Sequence, residues 1–100
     1  MDIIDVEWNP EKNVWLQQTR GVSFEQVEAL IRQGDILDIY DHPNQERYPG
    51  QKFAVVEIDH YAYLVPFLEN EGYLFLKTII PSVGLRVYTS KETEDGRFRA

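Results

Sequence analysis

The segment Trp8-Asn9-Pro10-Glu11-Lys12-Asn13, followed shortly by Gly21-Val22-Ser23-Phe24-Glu25-Gln26, contains two helix starts in succession, and their order decides how the rest of the chain is arranged. Asn9 offers a side-chain oxygen as a cap, and Pro10 suits the first helical position because its missing N–H has no intrahelical partner there. Glu11 meets the positive end of the helix dipole. A helix is therefore predicted from Pro10 to Arg20. Gly21 closes it in the left-handed conformation, and Ser23 with Gln26 has the spacing of a capping box, so a second helix follows and ends at Gly34.

Upstream, Ile4, Val6 and Trp8 alternate with Asp5 and Glu7 as in a short, half-buried strand near a sheet edge. The second helix shows Phe24, Val27, Leu30 and Ile31 at three- and four-residue steps, a stripe fit to lie across a sheet. The first helix has only Val14, Trp15 and Leu16 among polar residues and is expected to lean on Trp15. A brief strand is predicted over Ile36 to Tyr40. The longest loop, residues 41 to 51, follows it and is dense in turn residues.

Three stronger strands come next, Lys52 to Ile58, Tyr61 to Leu68 and Tyr73 to Ile80, separated by Asp59-His60 and by Glu69-Asn70-Glu71-Gly72. These separations have hairpin length, so the strands should form an antiparallel meander. Phe53-Ala54-Val55-Val56 and Tyr73-Leu74-Phe75-Leu76 are apolar on both faces, which predicts a sheet covered by helices on one side and by the tail or a partner on the other. Pro66 cannot donate to the ladder and implies a bulge or an edge position. After Pro81, Leu85, Val87 and Phe98 could add a short strand, and a loosely ordered tail is predicted from about residue 88 to residue 100. The fold class is thus α+β, with two N-terminal helices packed on a twisted antiparallel sheet of three to four main strands, in a single domain of residues 1–100.

This order of elements carries a resemblance. The pattern Trp8-Asn9-Pro10 through Lys12, then Arg20-Gly21-Val22-Ser23-Phe24-Glu25 opening a second helix, and finally Leu76-Lys77-Thr78-Ile79-Ile80-Pro81-Ser82, resembles the BrnT-type toxins over about residues 6 to 82. Those are small ribonucleases of bacterial type II toxin–antitoxin pairs, with a RelE-like fold. The family continues with A-R-x-A and a basic helix containing a tyrosine, whereas this chain reads Ser82-Val83-Gly84-Leu85-Arg86-Val87-Tyr88-Thr89. The resemblance implies a small DNA-binding antitoxin protein as partner, RNA as substrate, and no cofactor or metal. The divergent end implies weakened or lost activity.

Composition limits these options. A chain of 100 residues can withdraw roughly 60 to 70% of its unfolded surface from water, enough for one core. It has no cysteine, which removes disulfides, thiolate nucleophiles and Cys-ligated zinc and fits a cytoplasmic protein. Tyr61 to Leu68, the longest apolar-rich stretch, is far short of the roughly 20 residues of a membrane helix, so a soluble, unsecreted protein is expected. Ten basic against 17 acidic residues give a net charge of −7 and a pI near 4.7, which argues against general nucleic-acid binding.

Metal-free RNA cleavage needs a base for the 2′-OH, a cation for the pentavalent phosphate and an acid for the leaving oxygen. His42 and Glu46, with Lys52, Lys77 and Arg86, are the candidate catalytic groups; Arg47, Tyr48, Ser82 and Tyr88 are candidates for RNA contact. Each has a plainer alternative. His42, Glu46, Arg47 and Tyr48 also fit a solvated loop held by two prolines, and Lys52 and Lys77 fit outward-facing lysines that discourage edge pairing. By resemblance, Lys52 takes the place of a basic residue that begins this strand in the family, and Ser82 matches the serine after its last strand. His60 reads as a turn residue, and the spacing of histidines and carboxylates gives no zinc or EF-hand pattern. Three functions stay open: a toxin-like ribonuclease, a non-catalytic interaction module, and a binder of small molecules or peptides on a tyrosine-rich sheet.

Overall fold

The computed structural model describes residues 3 and 5–82. It shows two helices on a mixed six-stranded sheet: β1 (Asp5–Trp8), α1 (Pro10–Arg20), α2 (Phe24–Gln33), β2 (Asp38–Asp41), β3 (Lys52–Ile58), β4 (Tyr61–Asn70), β5 (Tyr73–Leu76) and β6 (Ile80–Pro81). The tail expected from residue 88, and the added strand with Leu85, Val87 and Phe98, lie outside the described residues. No described helix is long and apolar enough to cross a membrane.

Both helix starts form as their local chemistry dictates. Asn9 accepts from the amides of Glu11 and Lys12, Gly21 closes α1 at φ 69°, and Gly34 closes α2 at φ 78°. Ser23 and Gln26 complete a reciprocal capping box, satisfying two of the amides a helix start leaves unpaired.

The inward face of α1 differs from the expected one. Leu16 is wholly buried and Asn13 nearly so, while Trp15 is 42% exposed. Trp15 lies outside, with Lys12 Nζ 4.7 Å and Arg20 Cζ 4.9 Å from its ring. The buried Asn13 supplies the reason: its Oδ1 accepts the Phe24 amide and its Nδ2 donates to Glu25 Oε1, both at 2.8 Å. A polar side chain thus ties α1 to the start of α2, and the helix is oriented by this bond rather than by its bulkiest residue.

The sheet runs β1-β5-β4-β3-β2, with β6 also paired to β4. β3, β4 and β5 form the predicted meander, joined by tight turns at Asp59-His60 and Glu71-Gly72 whose residues all have positive φ. The sheet is not purely antiparallel, because β1 joins it parallel to β5, from Asp5↔Tyr73 to Trp8↔Leu76. This pairing covers the outer edge of β5, and the connection from β1 to its parallel partner runs through α1, α2 and the three strands β2 to β4. β2 begins at Asp38 rather than Ile36.

The single strand predicted from Tyr73 to Ile80 is divided. Phe67 pairs with Leu76 and Leu64 with Ile80, so Lys77, Thr78 and Ile79 stand against only Val65 and Pro66. A bulge therefore sits opposite the proline, whose carbonyl accepts the Lys77 amide at 2.8 Å. The extra residue changes which positions point inward: Leu74 and Leu76 face the helices before it, and Ile79, wholly buried, does so after it. Arg20 Nη1 donates to the Ile79 carbonyl at 2.7 Å, fixing the bulge to the end of α1.

The helix-covered face contains Val6, Ala54, Val56, Ile58, Val65, Phe67, Leu74 and Leu76, packed with Leu16, Val22, Phe24 and Val27. Strand alternation places Tyr40, Phe53, Val55, Leu64, Pro66, Leu68 and Phe75 on the second face. Among the described residues no helix packs there. The loop between β2 and β3 reaches one corner of it.

Candidate functional site

That loop is ordered by its own amide side chains. Gln45 Nε2 donates to the carbonyls of His42 (2.9 Å) and Gln51 (3.1 Å), and its Oε1 accepts the Gly50 amide. Asn44 Oδ1 accepts from Arg47, its carbonyl accepts from Tyr48, and Gln51 is buried at the loop's base. Sequence alone marked this stretch by turn residues and missed Gln45 as its hub, because a glutamine carries no turn signature.

The His42 ring lies between Tyr48 and Phe53, at centroid distances of 4.3 and 4.9 Å, and Phe53 meets Tyr40 edge-on at 5.5 Å. Arg47 Cζ stands 5.6 Å from the Tyr48 ring. The result is an aromatic cluster at the corner of the second sheet face. His42 Nδ1 accepts the Asn44 amide hydrogen at 2.9 Å. Glu46 is on the same loop and exposed.

The two strand lysines are separated by the sheet itself. Lys52 pairs opposite Phe67 and precedes the core residue Ala54 by two positions, so it is on the helix-covered face. Lys77 follows Leu76, a core residue of that same face, and therefore turns to the second face. Lys52 Nζ lies 3.6 Å from Asp41 Oδ1. Lys77 is in the row of Phe53 and Pro66, roughly 10 Å from Phe53 at two strand spacings. The structure thus gathers His42, Arg47 and Tyr48, sets Lys77 farther along the same face, and leaves Lys52 behind the sheet. Ser82 follows β6, its amide donating to the Ala62 carbonyl at 3.1 Å. Arg86 and Tyr88 lie outside the described residues.

Most described cations are already engaged: Lys12 and Arg20 with Trp15, Arg32 with Glu28 at 2.9 Å, Arg47 with Tyr48 and Lys52 with Asp41. Among the described residues only Lys77 has neither an ion pair nor a ring partner. Glu25 is held below the ordinary carboxylate range, first by the hydrogen bond from Asn13 and then by backbone and Ser23 donors. The Glu7 carboxyl is raised by its hydrogen bond and charge repulsion with Asp5.

Two concavities are lined by described residues. One, of about 150 Å³, opens on the helix-covered side and is lined by Ile3, Ile31, Ile36, Ile39, Lys52, Ala54, Phe67, Glu69 and Leu74. The other, about 510 Å³, lies between the end of α2 and the β3–β4 turn and includes Asp35, Glu57, Asp59 and His60. His60 takes positive φ in that turn, as its sequence position suggested, and contacts Glu57 at 3.6 Å. Among the described residues no group of three histidine or carboxylate side chains could hold a metal ion. Comparison with protein-family models, curated proteins and solved structures gave no match to this chain.

Proposed function

We propose that the chain is a non-catalytic protein-binding module, built on the RelE-like layout of the BrnT-type toxins and working in the cytoplasm beside a small DNA-binding antitoxin protein. The observation that carries this reading is the placement of Lys52 and Lys77 on opposite faces of the sheet. Phosphoryl-transfer catalysis depends on positive groups converging on one phosphate, and these two cannot do so without refolding the strands. The net charge of −7 points the same way. An edge strand exposed at each of its four residues is what such a module would offer a partner.

The ribonuclease remains the second reading, favoured by one observation. Arg47, Tyr48, His42 and Phe53 form a cationic–aromatic group on the face that also holds Lys77, and single-stranded RNA stacks on such platforms.

Expression of the chain alone, and together with the product of its adjacent reading frame, separates the two. The module grows normally alone and co-elutes with that product as one complex in gel filtration. Growth arrest relieved by Lys77→Ala would establish the ribonuclease instead.

A further inference from the structure

We infer that the outer edge of β2 accepts an extended segment of another protein as an added strand, one carrying two adjacent apolar residues between two basic ones. This rests on the protein-binding reading and names the partner's chemistry.

Among the described residues β2 ends the sheet and pairs only with β3. In an antiparallel pair, alternate residues turn their amide and carbonyl to the same neighbour. The His42 amide donates to the Gln51 carbonyl, so Ile39 and Asp41 direct their backbone groups away from β3. In the free chain Asp38 Oδ1 accepts the Ile39 amide hydrogen at 2.9 Å, a cap that an arriving strand can replace.

Edge strands are ordinarily blunted by short length, charge or proline. β2, Asp38-Ile39-Tyr40-Asp41, is short and acidic at both ends, which repels acidic strands but not basic ones; it holds no lysine or proline and is exposed throughout, Ile39 by 52%. β1, at the opposite edge, has only Glu7 fully exposed. The two edges are therefore not equivalent.

Charge and shape define the occupant. Asp38 and Tyr40 point to the second face, while Ile39 and Asp41 point to the helix-covered face. A partner strand meets, in order, the Asp38 carboxylate, two apolar residues and the Asp41 carboxylate, which Lys52 reaches from within the sheet at 3.6 Å and which is 73% exposed to a second cation; this selects the complementary order basic, apolar, apolar, basic. The partner residue beside Ile39 also borders the 150 Å³ apolar cavity. A cavity of that size takes a benzene-sized group, so one branched aliphatic side chain fits. A second copy of this chain is disfavoured, since it brings a further net charge of −7 and its own pair of carboxylates to the junction.

The probe is a fluorescein-labelled decapeptide with a lysine-leucine-valine-arginine core flanked by serine and glycine, titrated with the full chain and followed by anisotropy. Saturable binding is expected, weakening with added salt. A peptide with proline in place of both core apolar residues, and one with glutamate in place of both basic ones, should each bind at least tenfold more weakly. Two chain variants, checked for native circular dichroism, should lose at least tenfold in affinity. Asp38→Lys removes one carboxylate. Ile39→Pro removes an outward amide without touching the β3 ladder.

Absence of saturable binding, or equal binding by wild type, Asp38→Lys and Ile39→Pro, overturns the edge assignment. In either case the module reading stands or falls separately, on co-elution with the neighbouring gene product.

Discussion

Phe24→Ala should lower the unfolding free energy by about 3–5 kcal/mol, measured by urea denaturation followed by circular dichroism. Phe24 is wholly buried and stacks on Trp8, with ring centroids 5.5 Å apart and planes inclined by 23°. It therefore joins three parts of the chain: the edge strand β1, the first turn of α2, and the core beneath them. Truncation removes the ring's transfer energy and leaves a cavity. The walls of that cavity are fixed by the β1–β5 pairing and by the capping box at Ser23, so little collapse can offset the loss. Domains of this size are stable by about 5–15 kcal/mol in all, so the variant should have a markedly lower urea midpoint and a measurable unfolded fraction at 37 °C. A loss under about 1 kcal/mol would show that α2 is not anchored as described.

Asn13→Ala should cost about 2–4 kcal/mol at neutral pH. The side chain is 6% exposed and makes two bonds between the helices, donating to Glu25 and accepting the Phe24 amide. Removing it leaves a buried N–H without an acceptor, a cost of roughly 1–3 kcal/mol by itself, and deprives a carboxylate of a donor. The second part depends on pH. Asn13 is the largest cause of the lowered Glu25 pKa. A group whose pKa is depressed on folding contributes stability above its unfolded value and loses that contribution as pH falls through the folded value. The gap between wild type and Asn13→Ala should therefore narrow in acid, below the ordinary carboxylate range. Urea midpoints for both proteins at neutral and acidic pH measure this; an unchanged gap would place the cost wholly in the Phe24 amide.

The two helices were legible because their signals are local. Asn9, Pro10, Gly21, Ser23, Gln26 and Gly34 act within a few residues of themselves, and each capping bond involves neighbours in the chain. β3 was legible to its ends for a similar reason, since a continuous apolar run between turn residues admits few other readings. Pro66 announced the bulge through its missing donor, although the consequence appears in another strand, at Lys77 to Ile79.

What was not legible depends on residues far apart in the sequence. The parallel placement of β1 is set by which edge of β5 remains open, and no alternation within residues 5–8 encodes that. The inward face of α1 was hidden because Asn13 is polar: the buried set Asn13 and Leu16 lacks an apolar stripe, and Trp15 drew attention to the wrong side. For the candidate site, the loop residues His42, Arg47 and Tyr48 were found together because they are adjacent in sequence. Lys52 and Lys77 were separated by register, a property of two strand pairings that neither lysine's neighbourhood reveals.

The most direct test of the account is incubation of the purified chain with a 5′-labelled single-stranded RNA at low salt, where electrostatic binding is strongest, with the products separated on a denaturing gel. A sheet that holds Lys52 and Lys77 on opposite faces should leave the RNA intact at every protein concentration. Cleavage by the wild-type chain, abolished by Lys77→Ala with the fold unchanged, would contradict it.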